Sequence, residues 1–144
     1  MGRENPVKIT PDTNVLVRAA VTVRDAASND GIQAAQARSL LRDAELIAIT
    51  APALCEFVWV LRGVYKYSKT EIEQAIRTLS SVASVVCDRQ MVEAGLRVLD
   101  QGGDFADGVI AFSGAAMGGD MFVSFDRQAV RILQKAGQEA QLAG

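Results

Sequence analysis

The 144-residue chain contains no histidine, 15 basic residues against 17 acidic ones, and 49% hydrophobic residues. The missing imidazoles exclude Ser-His-Asp and Cys-His hydrolysis, paired-histidine ribonuclease chemistry and His-rich zinc sites. A net charge of −2 lacks the basic footprint of a tight, nonspecific nucleic-acid binder, so any nucleic-acid role must rest on a local patch or on bridging metal ions.

The first predicted element is a short strand, Val7-Lys8-Ile9-Thr10-Pro11, ending at Asp12-Thr13-Asn14 and followed by the apolar segment Val15 to Ala20. Thr22 to Gly31 is polar and small and reads as a loop. Ile32, Ala35, Leu40 and Leu41 then fit one helical face, with Ser28 or Asn29 as cap. Leu46-Ile47-Ala48-Ile49-Thr50 is a second strand, after which Thr50 and Pro52 mark a helix start. The helix that follows, Ala53 to Tyr65, is apolar nearly all round, which predicts deep burial or a subunit contact. Ser68 and Glu71 form a capping box for a helix running to about Ser80.

Val82 to Cys87 is a third strand candidate, and Asp88 caps a helix from Arg89 to Asp100. Gly102-Gly103 ends that helix. Asp104-Phe105-Ala106-Asp107 opens the next, which runs to Met117. Met121 to Phe125 is a fourth strand, Asp126 begins a helix to about Lys135, and the small, polar tail from Gly137 to Gly144 either makes a last strand or frays. Strands alternating with helices require crossover connections, hence an α/β fold with a mainly parallel sheet covered by helices. The length predicts a single domain over residues 1–144.

Cys55 and Cys87 lie in apolar surroundings without CxxC spacing and read as reduced, buried thiols of a cytoplasmic protein. The start, MGRENPVKIT, has no apolar signal-peptide core, and Pro6 stands where a myristoylation signal needs Ser or Thr. The most apolar stretch, Leu46 to Leu61, is interrupted by Thr50, Pro52 and Glu56, which excludes a membrane span.

In parallel sheets the ligand site lies beyond the C-terminal strand ends, and carboxylates fall there or in helix first turns. Asp12 follows the first strand, Asp126 follows FVSF, and Asp107 lies in the helix opened by Phe105. Glu56 interrupts ALCEFVWVL, where a buried, unpaired carboxylate would cost several kcal/mol. The plainer reading of Asp104, Asp107 and Asp126 is as helix caps, and of Asp12 as a turn residue; Asp30 and Asp88 are read as caps only. Grouped, such acids stay ionised together only beside a cation. Oxygen ligands alone suit Mg²⁺ or Mn²⁺, which activates water as the nucleophile that a histidine-free chain otherwise lacks.

The ordered segments ITPDTNVLVRA, ITAPALCEFVWVLRGVYKYSKTEIEQAI, GGDFADGVIAFSGAAMGG and FVSFDRQA resemble PIN-domain proteins, in particular the VapC-type toxins of bacterial toxin–antitoxin pairs. The resemblance covers about Val7 to Leu133. It implies a three-layer α/β/α sandwich and a Mg²⁺- or Mn²⁺-dependent endoribonuclease. By this resemblance Asp12, Glu56, Asp107 and Asp126 match the metal-binding and catalytic acids. Asn14 matches the Asn of the DTN motif as hydrogen-bonding support for Asp12 or a coordinated water, Ser124 orients Asp126, and Asp104 is a secondary acid. Arg18, Arg62, Lys66 and Lys69 are candidate contacts to RNA phosphates, with solvated helix ends as the plainer reading. The likeness further implies a cognate antitoxin, whose C-terminal segment would lie along the groove, and a homodimer through the helix bearing Phe57, Trp59, Val60 and Leu61, with Tyr65 beyond it. FADGVI departs from the FADALI-like pattern in Gly108, which lowers helix propensity by about 1 kcal/mol.

Two rival readings are a noncatalytic phosphate- or partner-binding module of receiver type and a degenerate PIN scaffold. Against the first, the first strand offers a single Asp12, and Asp88 lacks a matching downstream Lys strand. Against the second, all the family acids are present.

Overall fold

A computed structural model describes residues 7–144; the reading of the leading MGRENP segment lies outside them. The chain divides into two compact units, Met1–Cys87 and Asp88–Gly144.

In the first unit, β1 (Lys8–Ile9), β2 (Leu46–Ala48) and β3 (Val85–Val86) form a parallel sheet in the order β1-β2-β3. Ile47 stands opposite Ile9 on one side and Val85 on the other. The third strand is shorter than its apolar sequence suggests, because Val82 to Ser84 are taken up by a turn closed by Val85 N–H donating to the Val82 carbonyl. The crossovers contain α1 (Thr13–Ala20), α2 (Asn29–Asp43), α3 (Ala51–Gly63) and α4 (Lys69–Ser80). Leu16, Ile47, Leu54, Phe57, Leu61, Ile72 and Ile76 are fully buried, each large side chain contributing about 1.5–3 kcal/mol of transfer free energy.

Helix starts follow local chemistry. Ser28 caps α2 by accepting from Gly31 N–H, and Thr50 caps α3 by accepting from Ala53 N–H. Ser68 and Glu71 close the reciprocal box at α4, with bonds of 2.9 and 3.1 Å. Asp30 is not a cap: it sits in the first turn of α2 and pairs with Arg18 at 3.1 Å. At the end of α3, Lys66 adopts a φ of 59°, a left-handed conformation usually left to Gly or Asn. Tyr67 N–H, donating to the Leu61 carbonyl at 2.9 Å, closes this turn.

Two sequence expectations for α3 are corrected. Of the alternatives deep burial and a subunit contact, the first is excluded: Ala53, Leu54, Phe57, Val58 and Leu61 face the core, while Glu56 is exposed and Trp59 is 70% exposed. Glu56 therefore bears no burial penalty, because residues adjacent in sequence lie about 100° apart around a helix. Cys55 and Cys87 are free thiols as read, yet half-buried rather than buried.

The second unit holds α5 (Arg89–Asp100), α6 (Phe105–Ala116), β4 (Phe122–Ser124), α7 (Arg127–Lys135) and β5 (Ala140–Leu142). Asp88 caps α5 by accepting from Met91 N–H. Helices α5 and α6 approach closely along a glycine seam. The fully buried Phe105 ring fills the space beside Gly95, and a Cβ on Gly108 would meet the Ala94 carbonyl and stand 2.9 Å from the Gly95 Cα. Gly108 is thus a packing requirement, for which the lower helix propensity is the cost.

Of the two readings of the tail, a last strand or a frayed end, the structure shows the strand. Strands β4 and β5 pair in parallel, Phe122 with Ala140, Val123 with Gln141 and Ser124 with Leu142. Ala140 is buried in a cluster with Val98, Ala111, Val130, Ile132 and Leu133, against which Phe122 and Leu142 pack. Gln134 Nε2 donates to the Ala140 carbonyl at 2.7 Å, tying β5 to α7. Among the described residues, no helix is long and apolar enough to cross a membrane.

Candidate active site

In the first unit, Asp12 stands just beyond the C-terminal end of β1 and caps α1. Its Oδ1 accepts from Thr13 N–H at 2.8 Å. Glu56 lies on the exposed face of α3. The two acids line one pocket of about 330 Å³ together with Asn14, Arg18, Val60 and Tyr65. Thr13, the buried polar residue of this region, donates from its hydroxyl to the Ala53 carbonyl at 3.4 Å. That long bond links the helix that Asp12 caps to the helix that carries Glu56. Neither Thr13 as a tie nor Tyr65 as a pocket wall is apparent in the sequence. The adjacency of Thr13 to Asp12 is the available signal for the first, and an aromatic shortly after the Glu56 helix for the second.

In the second unit, Asp104 caps α6, its Oδ1 accepting from Ala106 N–H at 3.1 Å. Asp107 follows one turn later and is half-buried. Asp126 caps α7, its Oδ1 accepting from Gln128 and Ala129 N–H at 2.9 and 3.2 Å. Ser124 acts on the backbone rather than the carboxylate: its Oγ accepts from Asp126 N–H at 3.0 Å. The capping roles that the sequence offers as the plainer reading are filled by Asp104 and Asp126 but not by Asp107, which lies in the first turn of α6, while Asp12, read as a turn residue, is itself a cap.

Burial, then the negative charges of Asp104 and Asp126, push the Asp107 carboxyl above the usual carboxylate range. The donor chemistry of this cluster, like that of Asp12 and Glu56, fits a hard divalent cation, which would relieve the same repulsion. Among the described residues, however, no group of three or more Asp, Glu, Cys or His side chains is drawn together closely enough to hold a metal ion.

Of the candidate RNA contacts, Arg18 lines the acidic pocket while paired with Asp30, Lys66 is exposed at the left-handed turn, and Arg62 and Lys69 lie at the end of α3 and the start of α4.

A sequence model of the PIN domain matches residues 9–134, most of the chain. The chain belongs to the PIN-domain family. PIN domains are α/β folds, and the helices and parallel strand pairings seen here are consistent with their α/β/α sandwich. They are generally metal-dependent nucleases, so membership supports a hydrolase that uses divalent ions. No curated protein matches the chain.

The raised Asp107 carboxyl has a measurable consequence for this PIN domain. A folded-state value above the unfolded one gives stability that is full at low pH and is lost as pH rises through the folded value. Asp107→Asn is therefore expected to raise the melting temperature in chelator at pH 7. The gain should shrink as pH falls into the ordinary carboxylate range. Thermal melts at pH 7 and near pH 4 check this, and a variant less stable than the parent at pH 7 would contradict it.

Proposed function

We propose that the chain acts as one PIN domain over residues 1–144, a Mg²⁺- or Mn²⁺-dependent endoribonuclease and the toxin of a toxin–antitoxin pair. The observation that carries the reading is the family match over residues 9–134 together with Asp12 and Glu56 opening onto one pocket. On this reading Asp12, Glu56, Asp107 and Asp126 hold the ion, with Asn14, Ser124 and Asp104 in support. When bound, the ion supplies Lewis-acid stabilisation of the phosphate and a nucleophile at neutral pH, in a chain without histidine. The protein's own contribution is to fix the carboxylates on helix starts and to bring cations to the RNA backbone. Arg18, Arg62, Lys66 and Lys69 serve the second purpose, and the exposed Arg18–Asp30 pair costs little to exchange for a phosphate.

Incubation of the purified protein with RNA should give internal cuts with Mg²⁺ or Mn²⁺ and none with chelator. Intact RNA under both metals would sink the reading.

The antitoxin partner is supported by an apolar groove of about 510 Å³ in the first unit, lined by Leu16, Leu41, Phe57, Tyr67, Ala75 and Leu79. The product of the adjacent upstream reading frame should block cleavage; a product without effect removes the pairing. For the homodimer, Phe57 and Leu61 are committed to the core, which leaves Trp59, Val60 and Tyr65 as contacts. Sedimentation of the chain as a monomer at micromolar concentration would exclude it. A protein acting with RNA and an antitoxin in this way would work in the cytoplasm.

A further inference from the structure

We infer that Tyr65 is the stacking surface for the nucleobase beside the scissile phosphate, an inference that rests on the ribonuclease reading. The pocket that carries Asp12 and Glu56 is lined by one aromatic residue, Tyr65, by the apolar Val17 and Val60, and by Arg18 as its cation. A ribonucleotide has the matching parts: a flat π-face and a phosphate. The pocket volume of about 330 Å³ lies at the lower end of ligand-sized clefts, about 300–1,000 Å³.

The ring is also held ready. Tyr65 N–H donates to the Val60 carbonyl at 3.3 Å, which anchors the residue to the last turn of α3. Its ring meets Tyr67 in an edge-to-face contact, centroids 6.5 Å apart and planes at 71°, a geometry that orients aromatic pairs. Even so, Tyr65 stays 42% exposed. Between the two tyrosines lies Lys66 with its left-handed backbone, a conformation unfavourable for a lysine and kept only where surrounding contacts enforce it. A turn selected for stability alone would use Gly there. The chain instead keeps an exposed lysine there, next to the tyrosine that lines the acidic pocket.

The test uses the full chain with Tyr65→Ala and Tyr65→Phe, thermal melts to verify folding, and a short single-stranded oligoribonucleotide carrying 2-aminopurine. Fluorescence quenching is read with Mg²⁺ in an Asp12→Asn background, and KM and kcat in the otherwise wild-type chain. Loss of the ring should raise KM about tenfold or more, change kcat much less, and remove the quench. The Phe variant, which keeps a π-face, should retain both. An Ala variant with unchanged quench and KM overturns the inference. So does one whose sedimenting mass falls while the quench persists, which would assign the ring to a subunit contact. Should the wild-type chain bind the oligonucleotide without cutting it, the nuclease reading fails, and a quench lost in Ala and kept in Phe still supports stacking. The absence of any quench overturns it.

Discussion

Replacing Asp12 by Asn is expected to lower RNA cleavage by about three orders of magnitude, equivalent to several kcal/mol of lost charge stabilisation, with little change in the melting temperature. The separation of the two effects follows from the capping geometry. Asp12 caps α1 through one oxygen, which accepts from Thr13 N–H at 2.8 Å, and Asn supplies an oxygen of the same shape and is an equally good cap. What Asn lacks is the negative charge. Single-turnover cleavage with Mg²⁺, run beside a thermal melt, measures both quantities. A variant that cuts RNA at the wild-type rate removes Asp12 from the site, and one that unfolds shows that its charge serves α1 instead.

The second large effect is on stability. Gly108→Ala improves helix propensity by about 1 kcal/mol, yet the variant is expected to be less stable by about 2–3 kcal/mol, a fall of roughly 5–10 °C in melting temperature. The added methyl would enter the α5–α6 seam at the Ala94 carbonyl and the Gly95 Cα. Neither is the end of a flexible side chain, so relief requires the helices to separate, and the neighbouring Phe105 ring, fully buried beside Gly95, opposes that. A more stable Ala variant would mean that propensity outweighs packing at this seam.

The order of elements is legible in the sequence because its signals are local. Ser68 with Glu71, Asp88 and Asp126 mark helix starts through hydrogen bonds made within a few residues, and the structure shows each of them. What the sequence conceals is set by packing at a distance. Glu56 looks buried in ALCEFVWVL, yet the helical turn carries it to the face of Trp59 rather than to that of Phe57. The small, polar tail does not itself decide between a strand and a frayed end, but its alternation places Ala140 inward and Gln141 outward, which is sufficient for a strand beside β4. Gly108 reads as a helix defect until Ala94 is seen against it.

The candidate site is legible in its residue types and less so in its surroundings. The acids stand out because carboxylates at strand ends invite a cation. Tyr65 does not stand out, since its role as a pocket wall depends on how the chain turns after α3.

The use of Asp12, Asp104 and Asp126 as caps bears on the entropy of ligand capture. A free aspartate samples several rotamers and loses that freedom when it is ordered around a ligand, at a cost of about 0.5 kcal/mol or more per side chain. Here one oxygen of each is already tethered to backbone N–H groups, so the ordering is completed during folding. The second oxygen stays outside the tether, and on the proposed function capture of a cation would begin from side chains with little freedom left to lose.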